Sequence, residues 1–261
     1  MSIPPAATSK AIRDRPIERH PFVIKLLTHA SLSASDLKAL NRLLNRRLTV
    51  KKGKDIIVQG FEYKELYIVE SGFAVRYTLV HKGGRQIINT LLPGDIAGFP
   101  ESFFDRSLYS VKAATEMSLN RISFDAFIDV CNERPNIAVA LISLVAHEAS
   151  LYAHHLVDAG RRSPLERVAH FLLEIHFRLK AVGMASENTF EIPLSQEDIA
   201  DRVGLSGPHA NRMISQLKRE GLIAMRRHEI KILDRAALQI IAEFDPSYLV
   251  PPSLQQLRTN R

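Results

Sequence analysis

Seven side chains between Ser195 and Arg226 have types and spacing suited to gripping a polyanion and probing base edges. Ser195, Gln196, Ser206, His209, Asn211, Arg212 and Arg226 all carry hydrogen-bonding groups. Hydroxyl, amide and guanidinium groups bind phosphate oxygens, and an arginine fork matches guanine O6 and N7. From Ser206 to Arg227 the basic residues are Arg212, Lys218, Arg219, Arg226 and Arg227, against the single acid Glu220. A duplex nucleic acid is the ligand that such chemistry suits. Ser206, His209 and Asn211 are expected near bases or phosphates, and Ser195, Gln196 and Arg226 near phosphates.

These residues need a frame, and Leu194–Ile232 supplies one. Ser195 is placed to cap a helix, with Asp198 at the reciprocal capping-box position. Ile199, Ala200 and Val203 form that helix's apolar face. Gly204 ends it, because the tight turn needs a positive φ. Ser206 can cap a second helix, with Pro208 in its first turn, where a missing N–H costs nothing. Ala210, Met213, Ile214 and Leu217 recur at helical spacing and face inward, opposite His209, Asn211, Arg212, Ser215, Gln216 and Arg219. Leu222–Ala224, Met225–Arg227 and Glu229–Ile232 then read as a β-wing with Arg226 and Arg227 at its tip. Helix, turn, helix and wing together place the second helix in a major groove. The alternative is an ordinary helical hairpin, against which capping, glycine, turn length and wing all agree.

Charge points elsewhere. The chain has 261 residues and a net charge of +7. Residues 1–54 hold 12 basic and 3 acidic residues, residues 55–160 hold 8 and 13, and residues 161–261 hold 15 and 12. Most of the excess is N-terminal, so net charge is a poorer argument for DNA than the local pattern. The length suffices for two domains. No apolar run approaches the ~20 residues of a bilayer span, so no membrane partner is expected. Residues 1–20 lack the apolar core of a secretory signal and read as a flexible arm. One cysteine, Cys131, leaves no internal disulfide, and a cytoplasmic location is expected.

Residues 21–123 read as a domain of two leading helices, near Phe22–Thr28 and Ala34–Leu44, then many short strands. The helix at Ala34 has Ser33 or Ser35 as its cap. Apolar runs at Asp55–Gln59, Leu66–Val69, Ala74–Val80, Gln86–Leu92, Tyr109–Ala114 and Met117–Ile122 alternate with glycines. This punctuation predicts a β-sandwich or barrel. A helical region follows over 124–160, interrupted at Pro135. Ile137, Leu141, Leu144, Leu151 and Leu156 approximate a heptad seam, which suggests a homodimer; an intramolecular packing helix is the alternative. Arg161–Pro164 is the expected hinge. A DNA-binding domain over 161–245 follows, including a helix at Leu165–Leu179, a strand near Phe190–Pro193 and a helix at Ala236–Glu243, and then a tail over 246–261. The whole reads as an α+β chain: a jelly-roll-like β-domain, a long helix and a winged helix-turn-helix.

This order resembles the Crp–Fnr family of bacterial transcription regulators. The residues that carry the resemblance are LSQEDIADRVGLS with Arg212, LKREGLI and IKILD, and the glycine frame GKDIIVQG from Gly53, VESG ending at Gly72, and LLPGDIAG ending at Gly98. The resemblance implies a cyclic-nucleotide-binding-like β-roll and a regulator that binds an inverted repeat as a homodimer and contacts RNA polymerase. It also implies that Arg212 reads the groove. Members often carry an Arg-Glu pair at the start of the reading helix; here Gly207 and Pro208 stand there, so a different half-site is expected.

Members that bind cyclic AMP hold the ribose with a Glu after Gly-Asp and the phosphate with an Arg-Ser or Arg-Thr pair. Here Phe99 and Pro100 follow Gly98, which argues against cyclic AMP. Arg106 and Ser107 match the phosphate pair, with Glu101 as an out-of-place carboxylate, and could grip another anion; a surface ion pair with Asp105 is the competing reading. An iron–sulfur cluster needs four thiolates, which one Cys131 per subunit does not supply. His147-Glu148 fails to extend to HExxH, since Leu151 takes the second His position, so no metal site is expected. No nucleotide-binding, hydrolase-elbow or zinc-protease motif appears, and the Ser215–Lys218 SxxK match lies on the reading helix. An enzyme is therefore not expected.

Overall fold

The computed structural model describes residues 16–80, 84–99 and 101–250. The first fifteen residues of the expected arm and the tail from Pro251 lie outside them. Two antiparallel four-stranded sheets form the β-roll. One has the order β1 (Arg47–Val50), β8 (Met117–Ser123), β3 (Glu65–Ser71), β6 (Ile96–Ala97). The other has β2 (Asp55–Ile57), β7 (Ser110–Ala113), β4 (Ala74–Leu79), β5 (Arg85–Leu91). Strands β1 and β6 are additions to the sequence expectation. β1 is largely exposed and carries little apolar signal, and β6 is only two residues long. Ile57, Val69, Ala74, Leu91, Val111, Met117 and Leu119 fill the space between the sheets. Gly98 keeps the β6 turn tight: its φ is +87°, and a Cβ there would stand 2.9 Å from the Glu65 carbonyl oxygen.

Helices α1 (Pro21–His29) and α2 (Ala34–Leu43) close one end of the roll. Ser33 caps α2 through a full capping box with Asp36. His20, at the end of the expected arm, is anchored, with Nε2 3.0 Å from Asn120 Oδ1.

The helical region after the roll is two helices, α3 (Phe124–Glu133) and α4 (Pro135–Gly160), with Pro135 in the first turn of the second. At 26 residues, α4 is about 39 Å long. By length and composition alone it is long and apolar enough to cross a membrane, with 28% of its most apolar window buried. The expected seam is also corrected. Ile137, Leu141, Leu144 and Leu151 are buried in this same chain, the first three packing with Phe22, Leu26, Leu40 and Phe127. They point at the roll because the roll and α1 offer an apolar face to that side. Of the expected set only Leu156 is free, 74% exposed.

The C-terminal domain comprises α5 (Pro164–Ala181), β9 (Thr189–Glu191), α6 (Gln196–Val203), α7 (Gly207–Arg219), β10 (Ile223–Arg226), β11 (Glu229–Ile232) and α8 (Arg235–Ala242). The extra strand begins one residue before the expected Phe190 and pairs with β11, making a three-stranded wing sheet. The domain's core runs on into the β-roll, where Phe73, Val75, Ile87 and Leu92 pack with Val168, Phe171, Leu172 and Ile175. The start of the expected tail, Pro246–Leu249, is a 3-10 turn that lays Tyr248 against His154 with ring centroids 3.7 Å apart.

Candidate nucleic-acid interface

The first helix of the motif is fixed by its cap. Ser195 Oγ accepts from the Asp198 N–H at 3.0 Å, and Asp198 Oδ2 accepts from the Ser195 N–H at 3.1 Å. Gly204, at φ 68° and ψ 41°, then turns the chain in the left-handed region. Ser206 occupies the N-cap position of α7, but its hydroxyl makes no capping bond, which corrects the sequence expectation. Ala210, Ile214 and Leu217 bury one face of α7 against Ile199, Val203 and α5. The opposite face is thereby turned outward.

On that outward face Arg212, Ser215 and Arg219 are exposed, at spacings of three and four residues. They line a shallow surface groove with Asn211, Met213 and Gln216. Gln216 Nε2 donates to Glu220 Oε1 at 2.9 Å. His209 is half-buried, and Asn211 is too, its Oδ1 enclosed without a partner. Ser195, Gln196 and Ser206 are exposed beside the two helix starts. Arg226 ends β10 opposite Glu229, and the tip itself is Arg227, at φ 55°, with His228. The motif thus brings a cation-bearing helix face and a basic wing tip into one domain, with backbone N–H groups at the starts of α6 and α7.

Sequence reasoning missed the groups that hold this domain in place. Arg85 on β5 donates from Nη2 to Asp198 Oδ1 at 2.6 Å and from Nε to Asp201 Oδ2 at 2.8 Å. Burial alone would raise the Asp198 carboxyl pKa; the Ser195 hydroxyl and N–H and the Arg85 guanidinium outweigh it and hold it below the usual value. Deeper in, Arg178 on α5 bridges Asp95 of the roll at 3.0 Å and Glu174 at 3.2 Å, and Lys25 of α1 pairs with Asp95 from the other side. His155 of α4 also meets Glu174, at 2.7 Å. No local pattern signals these pairs, since Asp95 and Arg178 are 83 residues apart.

Arg106 is exposed on a loop that zips to its neighbour through Gly60 N–H to Ser107 O and Ser107 N–H to Phe61 O, each 2.8 Å. The Ser107 hydroxyl is spent on the Tyr109 carbonyl at 2.7 Å. Arg106 lines an open depression with Gln59, Gly60, Phe61, Glu62 and Asp105. Glu101 opens the 3-10 turn Glu101–Phe103. Cys131 is half-buried, and burial pushes its thiol pKa up. Among the described residues no group of three or more His, Cys, Asp or Glu is placed to hold a metal.

A β-roll joined by a long helix to a winged helix-turn-helix defines a class of two-part DNA-binding proteins. Residues 166–241 match the model of a Crp-like helix-turn-helix domain, and residues 47–134 that of a cyclic nucleotide-binding domain. The chain is 34% identical over 214 residues to the nitrogen fixation regulation protein FixK of Bradyrhizobium diazoefficiens, covering 82% of this chain and 88% of that one. It is 26% identical to the transcriptional activator protein FnrA of Stutzerimonas stutzeri, over 81% and 86% of the two chains. The structure of FixK2 from Bradyrhizobium japonicum superposes with a TM-score of 0.68 at 26% identity, covering 75% of this chain and 96% of that one. The chain belongs to the Crp–Fnr family and is a DNA-binding transcription regulator of that type.

The match to a cyclic nucleotide-binding domain makes the fit of such a ligand a structural question. Between the roll and α4 the free space beside Lys25, Asn89, Asp95, Phe99, His147 and Glu148 is about 30 Å³, room for one water. Ligand pockets run to several hundred Å³. That one space is too small for a cyclic nucleotide.

Proposed function

We propose that the protein works as a homodimer reading an inverted-repeat site, with one α7 helix in each half-site. The observation that carries this is a stripe on α4. Val139, Ile142, Ala146, Ala149, Ala153 and Leu156 are all exposed at alternating steps of three and four residues, the spacing of a two-helix seam. Central alanines let paired helices approach closely, and burial of the stripe accounts for the hydropathy of α4 without a membrane. A two-fold axis along the seam would set two reading helices about 34–36 Å apart, one turn of DNA.

Arg212 is the base-reading residue in this proposal. Ser206, His209 and Asn211 lie near bases or phosphates, and Ser195, Gln196 and Arg226 meet phosphates. Gly207 and Pro208 offer no side-chain hydrogen bond, so the half-site differs from one read by an Arg-Glu pair. The DNA-bound dimer contacts RNA polymerase and works in the cytoplasm beside the chromosome. A signal at the roll or the dimer helix would bias the orientation of the two DNA-binding domains. No catalytic role and no cofactor is assigned.

Selection of genomic DNA fragments by the purified protein without effector, followed by sequencing, tests this reading. Enrichment of a shared inverted repeat is expected. No enrichment by a folded dimer at low salt would overturn it in its effector-free form.

A further inference from the structure

Arg76 has the largest side chain among those with less than 2% exposure, and it sits where the roll meets α4. Strand alternation puts it there. Val75 points outward into the core shared with α5, so Ala74 and Arg76 point inward. The pairing of β4 with β5 shifts at this residue: Arg76 faces Asn89 and Tyr77 faces Ile87, leaving Ile88 as an extra residue. Such a bulge re-aims the local side chains.

Among the described residues, four partners receive the guanidinium. Nη1 donates to Glu148 Oε1 at 2.8 Å and to the Tyr152 hydroxyl. Nη2 donates to the Ile96 carbonyl at 3.1 Å and the Phe99 carbonyl at 3.3 Å. Tyr152 in turn donates to Glu148 at 2.8 Å, one helical turn away. One planar cation thus joins the β6 turn of the roll to two residues of α4 one helical turn apart. A buried charge is tolerated when each end of it is paired in this way.

We propose that Arg76 is a built-in tether that replaces a small-molecule effector: it clamps the roll to α4 through Glu148 and Tyr152. The spacing of roll, helix and DNA-binding domain is then set by a side chain of the roll itself, without a cyclic nucleotide. The consequence for DNA rests on the DNA-binding reading above; the tether itself does not.

The test uses the full-length protein, with Arg76→Met removing the cation and Glu148→Gln weakening its partner. Glu148 is 23% exposed on its side chain, so the second variant is the safer for folding. Hydrogen exchange along α4 and the β6 turn reads the tether without reference to DNA. Anisotropy on the selected site reads its effect on DNA binding, with cyclic AMP and cyclic GMP at millimolar concentration as probes. Faster exchange at both elements is expected in each variant, with DNA affinity lowered roughly tenfold and dimer mass and cooperative melting retained. The unmodified protein should bind DNA equally well with or without either nucleotide. Unchanged exchange in folded variants overturns the tether, as does a cyclic nucleotide that tightens DNA binding of the unmodified protein. Altered exchange beside absent DNA binding in the unmodified protein would sustain the tether and sink the DNA reading instead.

Discussion

Arg85 on strand β5 reaches Asp198 in the first turn of α6, Nη2 to Oδ1, at 2.6 Å across 113 residues of sequence. The bond ties the β-roll to the first helix of the DNA-binding motif. Gln86 adds a second tie, Nε2 donating to the Asp201 carbonyl at 2.7 Å. The same Asp198 completes the α6 cap, so one carboxylate serves both the helix and the domain contact.

Loss of this tie should loosen the DNA-binding domain without unfolding it. Arg85 and Asp198 are 22% and 18% exposed on their side chains, so Arg85→Ala should cost about 1 kcal/mol or less. Arg161 is exposed at the hinge, a site for trypsin. Its cleavage should quicken up to about fivefold in the variant, since proteolysis follows the population of the open form. Equal cleavage rates would show that Arg178 and the shared core hold the domain alone.

Arg212 and Arg226 should behave differently as alanines. Arg212→Ala should cost about 1–3 kcal/mol of DNA affinity and relax preference at one base position. Arg226→Ala should weaken all sites alike and reduce the slope of log K against log salt by about one unit. Binding curves over a panel of half-sites and salt concentrations distinguish the two, and a parent-like preference in Arg212→Ala removes it as the base reader.

The two faces of α4 can be separated by substitution. Ile142, 69% exposed, belongs to the proposed seam, so Ile142→Glu should yield monomers in sedimentation and abolish binding to the inverted repeat. Leu141, 4% exposed, belongs to the chain's own core. Leu141→Ala should lower stability by about 2–5 kcal/mol and leave the dimer intact. A dimeric Ile142→Glu protein would refute the seam.

Acid should destabilise the fold through two histidines at the junction of α1 and α4. The His29 and His147 rings lie 5.6 Å apart, and His29 Nδ1 is 2.9 Å from Ser143 Oγ. Burial first, then the nearby Lys25 charge, lowers both to about 4 from an ordinary 6.5. Both are therefore neutral in the fold. As pH falls below 6.5 the unfolded chain takes up protons that the folded chain refuses until about 4. The stabilisation is complete above 6.5 and is lost between those values. Calorimetry should find Tm falling across this window, with a shallower fall in His29→Gln; an identical slope would clear His29.

The sequence by itself determined whatever depends on near neighbours. The cap at Ser195, the left-handed turn at Gly204 and the inward set Ala210, Ile214 and Leu217 follow from contacts within one or two helical turns. The strand pattern of the roll follows from glycines at positive φ between apolar runs. Only the tertiary structure decided which face of α4 is free. The helix is apolar on more than one side, and the choice depends on where α1 and the roll pack, so the exposed stripe runs through Ile142 rather than Leu141. Tertiary structure likewise gave Ser107 to Tyr109, turned Arg106 to solvent and sent Arg76 and Arg85 to carboxylates 72 and 113 residues away. A charge carries no record in sequence of its distant partner; burial between packed elements makes the pairing obligatory, because an unpaired charge there is too costly.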